Sequence, residues 1–156
     1  MPSFAELLAR SHYSFLEGSA SPKRLVAVAA ELGIDSLGLC DRNGLYGAVA
    51  FIAAAGAAGI HAVIGSELDL VDGSRLRFLV RDKAGYRQLS RAISGAQLAG
   101  AKGSPRLEIA GIGGKRESPD GSAADAVARI DPGDLSSCFV LEGGAGSALT
   151  DALLAG

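Results

Sequence analysis

The strongest constraint in this chain is an alternation. Through the first seventy residues, short apolar runs of strand length alternate with runs of helical spacing, and each helical run ends at a glycine. Phe4 to Ala9 is the first strand-like run. Ser21-Pro22 then supplies an N-cap and a proline at the first helical position, where its missing N–H is not needed. Leu25, Val28, Ala29 and Leu32 follow at helical spacing, and Gly33 stops the helix. "IDSLGLC" is a compact apolar strand ending at Asp41, and "RNGLYG" is a Gly-rich turn. Ala48 to Ala58 is a second helix closed by Gly59, and "HAVIG" is a third strand running on through "SELDL". Strand, helix, strand, helix, strand predicts an α/β fold with parallel strands and right-handed crossovers.

The remainder is less regular. "ELDLVDGSRLRFLV" alternates around Asp72-Gly73, a strong hairpin signal. "KAGYRQLSRAISGAQLAG" reads as an amphipathic helix with Tyr86, Leu89, Ile93 and Leu98 near one face. From 101 to 136, Gly, Pro, Ser and charge crowd together, which predicts a long loop or insertion, with helical turns over Ala124 to Ile130. "SSCFVLEGG" reads as a strand and "SALTDALLAG" as a helix. The organisation expected is a core over 1–100, a Gly/Pro/charge-rich insertion over 101–136 and a final βα unit over 137–156.

Size and composition narrow the class. A chain of 156 residues makes one domain with a real core. Aromatic residues are only 5% and Trp is absent, so the core falls to Ala, Leu, Val and Ile. A net charge of -2 gives no broad attraction to nucleic acid or anionic membrane. Cys40 and Cys138 are far apart and outside any CxxC spacing, which predicts free thiols. The uncharged stretch from Leu45 to Ser66 is broken by Gly56, Gly59, His61 and Gly65 and reads as a helix followed by a strand, not a membrane span. The N-terminus lacks the pattern of a secretory signal. The expectation is a cytoplasmic protein without membrane contact.

Chemistry in parallel α/β folds gathers at the C-terminal ends of strands. Those ends place Glu17, Asp41 and Glu67 where they could converge on one rim. Converging carboxylates are hard oxygen ligands for Mg or Mn and repel one another without a cation or proton between them. The plainer reading has Glu17 capping a turn, Asp41 accepting backbone N–H bonds and Glu67 pairing with an arginine. His12 lies just past the first strand, and His61 begins the third at the opposite end. Two histidines cannot furnish a polynuclear zinc centre. "GIGGKRES" lacks the residues a P-loop needs at its first Gly and its Ser/Thr. "EGGAGSAL" follows a strand and opens a helix, so Gly144 and Gly146 form a weak candidate for phosphate binding, with a plain βα turn as the simpler reading.

Four stretches in order carry a resemblance: "FAELLARSHYSFLEGSASP", "AAELGIDSLGLCDRNGLYGAVAF", "AAGIHAVIGSELDL" and "FLVRDKAGYRQLSRAISGAQLAGAKGSPRL". They resemble the N-terminal PHP (polymerase and histidinol phosphatase) domain of bacterial C-family DNA polymerases, most of all the error-prone branch. The family begins with a strand carrying His-x-His, followed by Tyr-Ser-x-Leu-Asp-Gly. Here the tail survives as Tyr13-Ser14-Phe15-Leu16-Glu17-Gly18, while the histidine positions read Leu8 and Arg10. The Thr-Asp-His motif reads Cys40-Asp41-Arg42, and Gly-x-Glu is kept as Gly65-Ser66-Glu67. The resemblance therefore implies a metal site whose three nitrogen ligands, at Leu8, Arg10 and Arg42, have been replaced, with Glu17, Asp41 and Glu67 as its remnants. Arginine cannot ligate a metal, but a guanidinium can pair with Glu67 or Asp41 and hold the rim together.

The fold so implied is a partial, distorted βα barrel of TIM-like, PHP type, about the first half of the family domain, with the polymerase domains absent. The function implied is that of a PHP-domain segment of an error-prone polymerase, active in translesion synthesis and DNA repair as a whole. This segment would be structural and would not polymerise DNA alone. No cofactor is expected, and a divalent Mn, Zn or Mg ion only if the degenerate site still binds one. The implied partners are the remaining polymerase domains, DNA through them, a sliding clamp and mutagenesis-complex proteins. Two alternatives stand beside this reading. One is a metal-dependent phosphoesterase or 3'–5' exonuclease, with His12 as the nearby substitute ligand. The other is a small α/β module binding a phosphorylated ligand at Gly143 to Gly146.

Overall fold

The computed structural model of the chain describes residues 4–110 and 127–141. Among them the elements run β1 (Ala5–Ala9), α1 (Pro22–Glu31), β2 (Ser36–Arg42), α2 (Ala48–Ala58), β3 (His61–Asp69), β4 (Arg75–Val80), α3 (Lys83–Ala99), β5 (Leu107–Ile109), β6 (Ala128–Ile130), a 3-10 turn (Pro132–Leu135) and β7 (Cys138–Leu141). The fold is mixed α/β. Its five-stranded sheet has the order β1-β2-β3-β4-β7, and β5 pairs with β6 in a separate ribbon. The chain divides into two compact units, Met1–Glu67 and Leu68–Gly156.

The first unit is the βαβαβ stretch. β1 pairs with β2 and β2 with β3, all parallel, as the alternation predicts. Pro22 opens α1, and the Ser21 hydroxyl accepts from the Arg24 N–H at 3.2 Å. Gly33 and Gly59 follow α1 and α2 with φ of +68° and +70°, a region a Cβ penalises. The α1 face differs from the expected one. Pro22, Val26 and Ala29 are buried, whereas Leu32 is exposed. Leu32 is the C-cap, beyond the last turn, so its side chain leaves the stripe that begins at Pro22. α2 carries no charged residue. It buries Phe51 and Ala55 one turn apart and leaves Val49 and Ile52 outward.

In the second unit, β3 passes into β4 through a turn closed by Leu70 N–H to Ser74 O at 2.9 Å, with Gly73 at φ +90°. α3 begins at Asp82, whose carboxylate accepts from the Gly85 N–H at 2.9 Å. Its buried stripe is Gly85, Leu89, Ala92 and Ala96, while Tyr86 and Leu98 point outward. Of the expected face, Leu89 is fully buried and Ile93 half-buried, while at the N-terminal end Gly85 takes the inner place because backbone approaches closely: a Cβ there would lie 2.1 Å from the Ser137 carbonyl oxygen. Where helical turns were expected up to Ile130, Ala128–Ile130 is a strand, parallel to Leu107–Ile109. β7 pairs antiparallel with β4. The final helix expected from the sequence lies outside the described residues. Both cysteines are free thiols.

Candidate functional site

The carboxylates singled out from the sequence lie in the first unit, at the C-terminal ends of its strands. The register of β2 on β3 sets Arg42 opposite Glu67 and Asp41 opposite Ser66. Consecutive side chains on a strand leave it on opposite faces, so Asp41 and Arg42 diverge. The carboxylates consequently divide into two systems.

The first system is ionic. Arg10 follows the end of β1 and directs one guanidinium nitrogen, Nη1, to Glu17 and the other, Nη2, to Glu67 at 2.7 Å. Arg42 reaches Glu17 from the other side at 3.0 Å. Glu67 is completely buried, whereas the side chains of Arg10 and Glu17 are about a quarter and a fifth exposed (24% and 21%). Burying an ionised carboxylate is costly unless a charge and hydrogen bonds meet it, and Arg10 meets it.

The second system is a hydroxyl clasp around Asp41, which is 1% exposed. Ser11 donates its backbone N–H to Oδ1 at 2.8 Å and its hydroxyl to Oδ2 at 2.7 Å. Ser14 donates its hydroxyl to Oδ1 at 2.7 Å and accepts from the Arg42 N–H at 3.0 Å. Ser11 and Ser14 are themselves fully buried. Ser66 ties the turn after β2 by donating to the Asp41 carbonyl at 2.8 Å and accepting from the Gly44 N–H at 3.2 Å. The loop between β1 and α1 is pinned at both ends, since the His12 N–H reaches the Ala20 carbonyl at 2.9 Å. A Cβ at Gly18 would meet the Ser11 carbonyl oxygen at 2.1 Å. Pinned in this way, the loop turns Phe15 and Leu16 to solvent, with Leu16 at φ +63°.

Glu17 and Glu67 therefore come together through one guanidinium, and Asp41 stands apart from them. Leu8 is partly exposed on β1, and its N–H donates to the Glu6 carboxylate at 2.7 Å. His12 is exposed and stacks against Tyr13, 4.4 Å between ring centroids. His61 begins β3, with its N–H on the Asp35 carbonyl, at the opposite end of the strand from Glu67. Gly144 and Gly146 lie outside the described residues, as does the stretch from Gly111 to Ser118. The sequence places Ser11 at the end of the first strand and Ser14 within the Tyr-Ser motif but gives neither a role, because short hydroxyl side chains after a strand look like ordinary turn residues. The only available signal was their spacing, two serines framing His12-Tyr13 beside a buried acid.

Comparison with known proteins fixes the family. The PHP domain family matches residues 6–120. The chain belongs to the PHP domain family. Relatives named error-prone DNA polymerase include one from Mycobacterium tuberculosis, 44% identical over 68% of this chain and 11% of its own length. Another, from Corynebacterium efficiens, is 50% identical over 65% of this chain and 9% of its length. This chain thus spans about a tenth of the curated relatives it matches. A crystal structure assigned to a metal-dependent phosphoesterase of Bifidobacterium adolescentis aligns with a TM-score of 0.51 at 20% identity, over 63% of this chain and 35% of that one. An amidohydrolase of Chromobacterium violaceum, with bound sulfate and no metal, aligns with a TM-score of 0.51 at 23% identity, over 61% of this chain and 34% of that one. At these identities the likeness concerns the fold alone.

The PHP rim of this chain does not fit a metal ion. The guanidinium of Arg10 lies between Glu17 and Glu67 and takes up an oxygen of each. Arginine offers a metal no lone pair and repels it. Asp41 is committed to three donors from Ser11 and Ser14. Among the described residues, no group of three or more His, Cys, Asp or Glu side chains is arranged to hold a metal. No helix among them is long and apolar enough to cross a membrane.

Proposed function

We propose that this chain is the PHP-domain segment of an error-prone DNA polymerase, about the first half of a distorted βα barrel, and that its rim is structural, not catalytic. The observation that carries the reading is the single guanidinium shared by Glu17 and Glu67 where the family places metal. A metal phosphoesterase needs an ion to polarise the phosphoryl group and generate the attacking hydroxide. Here fixed positive charge neutralises the same carboxylates but can do neither. The names of the relatives support the polymerase context. In that context the segment works in the cytoplasm as part of a translesion and repair polymerase. It meets DNA through the remaining polymerase domains, and a clamp and mutagenesis-complex proteins through the assembly. It needs no cofactor and does not polymerise alone.

The test is hydrolysis of bis(p-nitrophenyl) phosphate and of a 3'-labelled single-stranded oligonucleotide, with Mn, Mg or Zn supplied. The expected result is no turnover above buffer with any ion. Metal-dependent cleavage that disappears in Glu67→Gln would contradict the proposal in favour of a working phosphoesterase or exonuclease.

A further inference from the structure

We infer that Arg10 is a resident counter-ion, whose charge makes folding of the first unit independent of divalent cations. The inference rests on the reading of this rim as one without metal, and it assigns the cation's structural task to one side chain. Glu67 is entirely removed from water, Glu17 keeps part of its side chain in solvent, and both meet the same guanidinium through separate nitrogens. Arg42 reaches Glu17 as well, but Arg10 bridges the two carboxylates; without it they repel each other more, and the buried one loses the charge Arg10 brings. A divalent ion is the usual remedy in a carboxylate cluster. Arg10 removes the need for one.

Its position also gives it a mechanical part. Arg10 is the first residue after β1, Glu17 lies further along the same loop, and Glu67 belongs to β3. One planar fork thus closes the loop upon itself and ties it to a strand on the other side of β2. The Asp41 clasp holds the near part of that loop without any cation. The two devices are chemically independent, which makes the charge on Arg10 separable by mutation.

The test is thermal unfolding of the whole chain, with EDTA or with MnCl2. The variants are Arg10→Ala and the same change combined with Glu17→Gln and Glu67→Gln. The parent should melt at one temperature in both conditions. Arg10→Ala should melt lower by about 5 °C, the scale of a lost partly buried charge partner in a chain of this size. Neutralising both carboxylates should return most of that loss, because the missing element is charge and not packing. If Arg10→Ala does not fold, Arg10→Gln replaces it, since Gln is neutral yet still donates to one carboxylate. An unchanged melting temperature on removing Arg10, or a deficit that survives neutralisation, overturns the inference alone. A parent stabilised by Mn overturns it together with the reading of the rim as metal-free.

Discussion

Asp41 shows how much depends on which neighbour a side chain meets. Its three donors come from two serines, and Ser14 is both donor to the carboxylate and acceptor for the Arg42 N–H. Ser14→Ala removes one partner from a buried carboxylate and one from a backbone N–H. It should cost about 1–3 kcal/mol in denaturant unfolding. Leu16 offers the opposite case. It is 89% exposed and sits at φ +63°, so its side chain pays backbone strain for no packing. Leu16→Gly should leave stability unchanged or raise it by up to about 1 kcal/mol, and Leu16→Val should lower it. Cys138 is half-buried on β7 with its thiol on the Gly85 carbonyl at 3.5 Å. Burial, and then the nearby Asp82 carboxylate, push that thiol above its ordinary value. The protonated thiol is the form the fold favours, so its contribution to stability persists through neutral pH and is lost only as strongly alkaline pH ionises it. Iodoacetamide at pH 8 should therefore label native Cys138 more slowly than the same thiol in denaturant. At this scale the sequence showed the acids and the kind of partner that Asp41 and Glu67 take, a backbone N–H and an arginine, but not which residues supply them. Asp41 and Glu67 occupy opposite pleats, a relation that exists only once the register of β2 on β3 is set.

At the scale of elements, glycines in α3 separate two uses of one residue. A Cβ at Gly85 would strike the Ser137 carbonyl oxygen at 2.1 Å, whereas at Gly95 it would rest 3.5 Å from the Ala128 Cβ. Gly95→Ala should stabilise by roughly 0.5–1 kcal/mol through helix propensity. Gly85→Ala should destabilise by about 1–3 kcal/mol through overpacking, and the two opposite signs are readable in one urea series. Helix starts and stops were legible because they are local: Ser21-Pro22, Gly33 and Gly59 act within a turn of themselves. The buried face of α3 was legible at Leu89 but not at its ends. Periodicity favours the bulky residues Tyr86 and Leu98, but the buried stripe runs through Gly85, Leu89, Ala92 and Ala96, with close backbone approach at Gly85. β5 and β6 are three residues each and far apart in sequence, so neither carries a local signal of its pairing.

For the whole molecule, the parallel stretch β1 to β3 follows from alternation alone, since parallel neighbours need a helical crossover between them. The antiparallel return of β7 onto β4 does not, because it depends on a connection more than fifty residues long. The family match covers residues 6–120 and so includes the rim, where the resemblance implies nitrogen ligands at the positions of Leu8, Arg10 and Arg42. The central claim is that arginine holds this rim in place of metal. Elemental analysis for Mn, Zn and Fe tests it most directly, on chain purified without chelator and on a Leu8→His, Arg10→His, Arg42→His variant. No bound metal in the parent and metal in the variant is the predicted result; stoichiometric metal in the parent would contradict it.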